Sequence, residues 1–370
     1  MHLILFFLLL ATSLFATLEA DPVFTPPAQE EYLPSPKKSK PLATLSDYIF
    51  FAVDLLIWDS EEEGLEFVYK NKNSQINQSL TSYKPKSKFD PAFRASLGGF
   101  LPYDEWSLGA VYTYYSTERN RTVSTSFNPT AAPGPGLIAV WTYPAAFSNN
   151  NTSARFEKAK NSWDMHVSFL DLSLERECKV GSQFAITPEF GIRSAWIHQR
   201  YTVNYSQGNV ITPNAGSPIT VLSSAIDMNC LSNNVGPLFG LKTSWTLLKG
   251  LNFFANFSTS LLASRFHLGR GETDRYTTSG TTYTESIDLS EKYWTFRPQA
   301  DLSIGFSFNI HLSPIDYFVS GAYETQNWWK QNGLLRYIDE LNATSGGAYV
   351  SQTQGNLMFH GLTLETGIRY

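Results

Sequence analysis

The chain has 370 residues, a formal net charge of −5, 16% charged residues and 15% aromatic residues, and nothing in this balance favours nucleic-acid binding. Its mean hydropathy of −0.20 excludes a bundle of membrane helices, and its charged content lies below the roughly 25% of typical soluble proteins. Low charge with many aromatic residues is typical of outer-membrane barrels, in which strand alternation dilutes the apolar residues.

The N-terminus predicts secretion. The run from Leu3 to Phe15 is mostly apolar, and small residues lead from it to Ala20. This pattern is typical of a signal peptide, so we assign residues 1–20 to one, with cleavage near Ala16 or Ala20. A membrane anchor is the alternative, but the run is shorter than the roughly 20 residues that a spanning helix needs.

Residues 21–43 predict an extended leader. They contain six prolines and three lysines, Lys37, Lys38 and Lys40, and proline-rich sequence without periodicity is typical of linkers. We interpret the segment as a loose periplasmic leader, with contact to the cell wall or plugging of the barrel as the functional alternative. Residues 44–370 are then the folded domain.

The first predicted strand begins after Leu45. One parity is apolar and continues beyond an acidic patch at residues 61–63: Ile49, Phe51, Val53, Leu55, Ile57, Leu65, Phe67 and Tyr69. Side chains on a strand alternate between two faces, so this parity defines one face. We predict a single strand whose far part rises above the membrane. Two strands joined by a tight turn at residues 59–64 are the alternative.

Alternation of the same kind recurs along the rest of the chain. It is found near residues 93–97, 106–114, 163–174, 184–192, 235–245, 253–261, 317–323 and 362–370. The apolar parity of the third of these segments slips by one residue, which predicts a β-bulge near Phe169. Pro188, Pro237 and Pro298 lie within predicted strands and should each mark a bulge or a strand end, because proline lacks the ladder donor.

The segment from Phe296 to Ile310 shows the pattern most fully. Its even positions are apolar and its odd positions are polar or small over the whole length. Crossing a bilayer takes about 9–11 tilted residues, so this segment is long enough to span. Unpaired backbone groups in lipid cost several kcal/mol each, and the sheet must therefore close into a barrel.

The connections between predicted strands alternate strictly between short and long. The short ones are residues 101–105, 177–180, 247–250 and 311–314, and the long ones are residues 119–155, 206–231, 268–290 and 330–355. Bacterial barrels have short periplasmic turns, long outer loops and even strand numbers. We predict an all-β transmembrane barrel of antiparallel up-and-down topology with about ten strands, and eight or twelve as alternatives. Residues Leu137–Trp141 are two further strands, a loop folded into the lumen, or a surface patch.

Several short segments, in order along the chain, resemble the Legionella-type major outer membrane protein family, which also has members among environmental chlamydiae. They are Asp90–Arg94, Leu101–Trp106, Leu170–Arg176, Pro188–Ile197, Val235–Pro237 with Trp245, Leu261–Leu262 with Arg265–Phe266, and Gly361–Leu364. The resemblance implies a pore-forming barrel of the outer membrane and brings no catalytic residues. The chain ends in Tyr370, where this resemblance leads us to expect phenylalanine.

The predicted inner face carries ionisable residues of both signs. They are Arg94, Asp171, Glu189, Arg193, Lys242, Arg297, Asp301, Glu324, Glu365 and Arg369. They predict either a water-filled channel whose charges tune ion passage or a narrow lumen that is closed by opposite charges in pairs, since small barrels are filled by side chains. A water-filled channel would make the protein a porin, whereas a closed lumen would make it a structural or surface-interaction barrel.

Catalytic, metal and cofactor chemistry is not predicted. The histidines after the signal peptide are scattered over different segments, with no acidic residue spaced to orient one beside a serine. The two cysteines form no metal motif. We place Cys178 at a periplasmic turn and Cys230 near the outer end of a strand, too far apart for a disulfide with each other. Cross-linking to neighbouring molecules is the functional interpretation, and two unpaired thiols is the other.

The expected partners follow from the barrel prediction. They are outer-membrane lipid and, through the C-terminal strand ending at Tyr370, the machinery that assembles barrels. Self-association and contacts of the outer loops with host or phage surfaces are further expectations.

Overall fold

The computed structural model describes residues 49–71, 80–101, 106–126, 136–142, 155–208, 210–211, 219–312, 315–339 and 348–370. The signal peptide and leader predicted at residues 1–43 lie outside this part of the chain. No helix in the described residues combines the length and the apolar character needed to cross a bilayer.

The described residues form strands almost throughout. Their bounds are β1 (Ile49–Glu62), β2 (Val68–Asn71), β3 (Leu80–Tyr83), β4 (Phe89–Phe100), β5 (Trp106–Ser124), β6 (Gly136–Ala139), β7 (Arg155–Arg176), β8 (Cys178–Val180), β9 (Phe184–Gly208), β10 (Val210–Ile211), β11 (Ile219–Leu248), β12 (Leu251–Thr278), β13 (Thr281–Leu312), β14 (Ile315–Trp328), β15 (Leu335–Asp339), β16 (Ala348–Gln352) and β17 (Leu357–Arg369).

Ten of these strands close into a ring of antiparallel neighbours, in the order β1, β4, β5, β7, β9, β11, β12, β13, β14 and β17. The ring closes where β1 pairs with β17, with Phe50 opposite Arg369 and Glu62 opposite Leu357. The predicted up-and-down barrel of ten strands is therefore confirmed. Closure pairs the backbone of every ring strand on both sides, as a bilayer requires.

The outward face of the ring carries a band of exposed apolar side chains. On β13, Ile304 and Phe306 are 44% and 54% exposed, whereas Arg297 and Gln299 on the other face are buried. The two faces predicted for this strand are thus confirmed. On β9, exposed Phe184 and Trp196 bracket the band, as aromatic girdles do at membrane interfaces.

On the outer side of this band the polarity of the two faces is reversed. In β7, Leu172 is exposed on the outward face, but nearer the outer end it is Met165 and Val167 that are buried inside while His166 is exposed. The register of β7 with β5 and β9 runs through Phe169 without a shift. The bulge predicted there is wrong. The apolar parity slips because the apolar residues face lipid on one side of Phe169 and face the barrel interior on the other side.

The first strand also differs from its prediction. β1 ends at Glu62, and the chain then turns inward, so that Leu65 and Phe67 are buried. β2 pairs with β3 and β6, and it is not a continuation of β1 in the ring. Of the alternative prediction, two strands joined by a tight turn at residues 59–64, the two strands are observed; the turn lies at residues 63–64 and β2 does not pair with β1. Leu65 and Phe67 have the same parity as the apolar residues of β1, which suggested one continuous strand. Their side chains are apolar because they are buried in the barrel interior, whereas those of β1 face lipid.

Two of the predicted long loops are largely paired strands. Residues 268–290 form the hairpin of β12 and β13, in which Leu268 pairs with Glu291 and Thr278 with Thr281. Ser279 and Gly280 both have positive φ, as a two-residue hairpin turn requires. Most of residues 206–231 likewise belongs to β9 and β11. Threonine, tyrosine and isoleucine favour strands, so the barrel wall extends beyond the membrane where the apolar alternation ends.

The three prolines coincide with gaps in the ladders. The pairing of β9 with β7 and β8 is interrupted opposite Pro188, and that of β11 with β12 is interrupted at Pro237. The pairing of β13 with β14 begins directly after Pro298. All three prolines lie inside continuous strands and none of the sites has a register shift, so the prediction of a bulge or a strand end is wrong. The missing N–H donor is accommodated by a local gap in the pairing on one side of the strand.

Orientation in the membrane can be tested with single cysteines at the two ends of the barrel. In a Cys178→Ser background, we expect Ser279→Cys, at the β12–β13 tip, to react with an impermeant thiol reagent on intact cells. Ser182→Cys, in the exposed turn between β8 and β9, should react only after the outer membrane is permeabilised. Labelling is read on gels, and the opposite pattern would invert the topology.

Candidate functional site in the barrel lumen

The inner half of the lumen contains two cavities. The mouth cavity, of 550 Å³, is lined by residues at the short-turn end of the strands, among them Lys179, Gln183 and Asn252. The mid-lumen cavity, of 220 Å³, lies deeper and is lined by charged residues from several strands. The two share lining residues, including Lys242, Ser320 and Glu365, so a polar path leads from the mouth to the middle of the barrel.

Arg94 is the centre of the first charge cluster in this path. Its guanidinium lies 3.3 Å from Asp54 of β1 and 2.8 Å from Glu324 of β14. Its Nε donates to Thr113. The strands β4 and β14 are not neighbours in the ring, and the pair of Arg94 with Glu324 therefore crosses the lumen.

Arg193 forms the second cluster. It donates two parallel hydrogen bonds to Asp171 on the neighbouring strand, at 2.8 and 2.7 Å. Its other nitrogen reaches Asp301 of β13 across the lumen, at 2.5 Å. Charge-assisted, bidentate pairs of this kind are strong and geometrically specific. Asp301 also accepts from Ser258, which fixes its carboxylate.

Lys242 forms the third cluster, nearer the mouth. Its Nζ lies 2.6 Å from Glu175 and 3.7 Å from Glu189. In all three clusters one cation lies between two carboxylates. The lumen therefore carries more negative than positive side chains at this depth.

The remaining predicted lumen residues lie outside the three charge clusters. Glu365 lines both cavities and accepts from Ser320, and Arg369 lines only the mouth cavity. Arg297 is buried on the inward face but lines neither cavity, and its guanidinium lies 4.0 Å from the ring centre of Phe266. Since the interior is apolar at that level, Arg297 is part of a packed layer.

Two residues central to the clusters were missed by sequence reasoning. Asp54 and Glu175 belong to the same parity as the other inward-facing residues of β1 and β7. Asp54 alternates with the apolar Val53 and Leu55, so its position on the lumen face was readable from the pattern. Glu175 lies beside the predicted turn, where the parity is harder to assign.

An aromatic layer closes the lumen above the charge clusters. It consists of inward-facing Trp58, Tyr115, Phe169, Trp328 and Phe359, all of which are buried. Phe169 stacks on Trp328 with ring centroids 4.9 Å apart, and Tyr115 meets Phe359 edge-on at 5.4 Å. Aromatic pairs in these arrangements add about 0.5–1.5 kcal/mol beyond area burial. Phe169 also lines the mid-lumen cavity, so the layer borders that cavity on its outer side.

Beyond the aromatic layer, inward-folded segments fill the outer barrel. We call Glu63–Asn71, Gly136–Trp141 and Gln331–Leu335 the outer plug, and their buried residues include Phe67, Leu137, Trp141 and Leu334. Tyr201 donates to the Leu65 carbonyl at 2.7 Å, and Trp141 donates to the Glu66 carbonyl at 2.8 Å. Residues 136–139 form one short strand that pairs with β7 of the ring and with β2, while Leu137 and Trp141 are buried. Residues 137–141 thus combine two of the predicted alternatives, an added strand and an inward-packed segment, and are not a surface patch.

Arg270 joins the outer plug to the barrel wall. This buried side chain of β12 donates to the backbone carbonyls of Leu335 and Trp141 and pairs with Glu272 at 2.6 Å. Asp274 follows on the same inward face, in the hairpin beyond the membrane. Burial and the neighbouring Glu272 raise the pKa of Asp274 to about 7. Near neutral pH it is thus partly protonated, which limits its repulsion of Glu272.

The two cysteines lie in different surroundings. Cys178 is exposed at the short-turn end, whereas Cys230 is buried on the inward face of β11. Burial shields Cys230 from neighbouring molecules, which disfavours cross-linking through it. For Cys178 the prediction stays open.

Comparison with solved structures gives remote similarities. The Escherichia coli outer membrane protease OmpT matches with a TM-score of 0.37 and 12% identity, covering 89% of this chain and 99% of that one. A Pseudomonas aeruginosa FadL homologue gives 0.26 and 8%, covering 87% and 90%. The Pseudomonas putida toluene transporter TodX gives 0.22 and 8%, covering 87% and 88%. Comparison with curated proteins gives no significant match.

A family model decides the relationship. The model described as the Legionella pneumophila major outer membrane protein precursor matches residues 46–369, which includes the whole ring. The resemblance drawn from the short segments is confirmed by it, as is the outer-membrane location. The chain belongs to the Legionella major outer membrane protein family.

Proposed function

We propose that this protein is a porin-like barrel that passes small ions and solutes, and that the closed lumen described above is its resting state. The observation that supports the proposal is the polar path from the mouth cavity to the mid-lumen cavity, lined by fixed charges. Charged rings of this kind tune ion passage in pores. A barrel that needed only to be stable would gain more from an apolar filling than from buried ion pairs.

Passage requires the aromatic layer and the outer plug to move. The plug is held to the wall by side-chain hydrogen bonds to backbone carbonyls, such as those from Tyr201 and Arg270. Such bonds contribute individually about 0.5–1.5 kcal/mol, or about 1.5–3 when one partner is charged. Local opening at that scale is accessible without unfolding the ring.

A second candidate is a structural or surface-interaction barrel with a permanently closed lumen. The aromatic layer favours it, because those side chains come from the ring strands themselves and pack as a core does. A narrow ten-stranded ring also lies near the size at which side chains fill the interior.

We further propose that the protein is not an enzyme. Ser116 and His166 do lie within hydrogen-bonding distance, 3.0 Å, on the outward face. The contact uses Nδ1 of the histidine, whereas in a catalytic triad that atom faces the orienting carboxylate. Both residues lie on the open outer surface of the sheet, where no cleft would exclude water.

Planar-bilayer recording tests the porin proposal. We expect discrete conductance steps from the purified wild type. Trp328→Ala removes one ring of the Phe169–Trp328 stack and should raise the conductance or the open fraction several-fold. Trp294→Ala is the matched control, because Trp294 is 68% exposed on the outward face and should leave conductance unchanged.

The same recordings separate the two candidates. If the folded wild type and the folded Trp328→Ala variant both pass no current, the porin proposal is contradicted and the structural or surface-interaction barrel is favoured. Folding is checked by the heat-dependent gel shift that intact barrels show.

A further inference from the structure

A row of exposed side chains marks the outer edge of the apolar band on strands β9, β11, β12 and β13. Opposite each other on neighbouring strands are Trp196 and Asn233, Asn233 and Arg265, and Arg265 and Trp294. All four side chains are exposed on the outward face, the two tryptophans by 46% and 68%. Tryptophan is enriched at the level of lipid headgroups, so this row lies where the apolar band meets them.

Positive charge follows directly beyond this row. The next row outward on the same strands comprises His198, Leu231, His267 and Lys292. Arg265 of the first row and Lys292 of the second are both exposed, and neither forms an ion pair within the part of the chain that the structure describes. The two rows contain no acidic residue. The protein itself therefore leaves these two cations without a counter-charge.

The unpaired cations are confined to one part of the outer rim. Arg200, one row beyond His198 on β9, is paired with Asp227 at 2.6 Å. At the level of Arg200, the outward positions on β7 and β5 are Asp164 and Glu118. This level of the rim is thus neutralised or acidic on β5, β7 and β9, and free positive charge gathers on β12 and β13.

Arg265 and Lys292 lie close enough to hold one anion between them. They are diagonal neighbours across the ladder of β12 and β13, because Arg265 is opposite Trp294 and Lys292 precedes Trp294 by two residues. Diagonal positions are about 7–8 Å apart, within the reach of long side chains. The Arg265 guanidinium lies 5.7 Å from the ring centre of Trp294, a contact that restrains it at the headgroup level.

From this geometry we infer that the outward face of β12 and β13 binds the phosphorylated headgroup of an outer-leaflet lipid, with Arg265 and Lys292 on the phosphate. A guanidinium binds phosphate oxygens in a bidentate way, and a lysine adds a point charge. The acyl chains of the same lipid would cover Trp294 and Phe296, which is 72% exposed. A free phosphate ion would satisfy the two cations but would leave these rings uncovered.

This inference goes beyond the general contact of a barrel with lipid, because it assigns one site and one headgroup chemistry. Basic residues at a membrane surface recognise anionic headgroups. The inference does not depend on the porin proposal, since the site faces lipid and not the lumen. It does depend on the orientation in which the hairpin of β12 and β13 lies outside the cell.

The test uses the folded full-length barrel in detergent micelles, with diphosphorylated lipid A as the probe. Ligands that bind only the folded state raise its unfolding temperature in a saturable way. At constant ionic strength, we expect lipid A to raise the unfolding midpoint of the wild type. The same lipid after removal of both phosphates should require at least a tenfold higher concentration, and inorganic phosphate alone should have no effect.

Variants locate the binding. Arg265→Gln and Lys292→Gln should each raise the half-saturating concentration of lipid A several-fold, and the double variant should raise it at least tenfold. Arg275→Gln is the matched control, because Arg275 is exposed on the same face of β12, ten residues nearer the hairpin tip, and it should bind as the wild type does. All these side chains are exposed, so each variant should keep the gel shift of a folded ring.

The inference is overturned if lipid A does not stabilise the wild type, if its phosphate-free form or inorganic phosphate does so equally, or if the double variant binds as the wild type does. Stabilisation that rises with protein concentration and ignores lipid phosphate would also overturn it, and would assign this face to a second copy of the chain. None of these measurements involves flux, so failure of the lipid site and failure of the porin proposal are distinguishable.

Discussion

Replacing Ile304 with arginine should prevent or strongly impair assembly of the barrel. Ile304 is 44% exposed on the outward face of β13 and lies between Phe296 and Ile310, the ends of the apolar alternation. An arginine on the lipid face near the midplane costs about 2–4 kcal/mol. The folded fraction is measured by the heat-dependent gel shift and by urea unfolding in lipid vesicles.

Ser286→Arg is the matched control for this substitution. Ser286 is exposed on the same strand but in the hairpin beyond the membrane, where it pairs with Thr273. The same side chain should be tolerated there, because it remains in water. Equal assembly of Ile304→Arg and wild type would mean that this face of β13 does not meet lipid.

Replacing Arg270 with methionine should release the outer plug. The substitution removes the donors to the Leu335 and Trp141 carbonyls and the ion pair with Glu272. Breaking a buried pair by removing one partner costs about 3–5 kcal/mol. Trypsin cleavage after Arg336, next to the plug, should then accelerate roughly 100-fold or more, since cleavage of a transiently open segment follows its opening free energy.

Arg275→Met serves as the control, because Arg275 lies five residues further along the same strand, on its opposite, exposed face. It should leave the rate of cleavage after Arg336 unchanged, and both variants should retain the gel shift of a folded ring. An Arg270→Met rate equal to that of the wild type would show that the plug is held by its apolar packing alone.

Most of the ring strands were predictable from the sequence, but the segments that fill the barrel interior were not. The faces of β13 were readable because lipid on one side and water on the other impose strict alternation. The same logic would have found Asp54. It failed at Phe169 and Leu65, because there the inside of the barrel is apolar, and parity by itself does not distinguish an apolar lumen from lipid.

The outer plug was beyond sequence reasoning for a different reason. Its stability depends on contacts between residues far apart in the chain, such as Trp141 with Glu66 and Arg270 with Leu335. No local period marks such contacts. The pairing of Arg193 with Asp301 could not be predicted either, because the partner of an inward-facing residue depends on which strands face each other across the ring.

The junction of β1 and β17 has a consequence for how the molecule forms. These strands lie at opposite ends of the described chain, so the last ladder cannot zip until β17 is available. The chain-entropy cost of joining such distant segments grows only logarithmically, by about 0.6 kcal/mol per doubling of loop length. Ring closure therefore has a small entropic cost at equilibrium, but it is a late step in folding. Until it occurs, two unsealed sheet edges remain open to mispairing, and the nascent molecule must be shielded until its first and last strands meet.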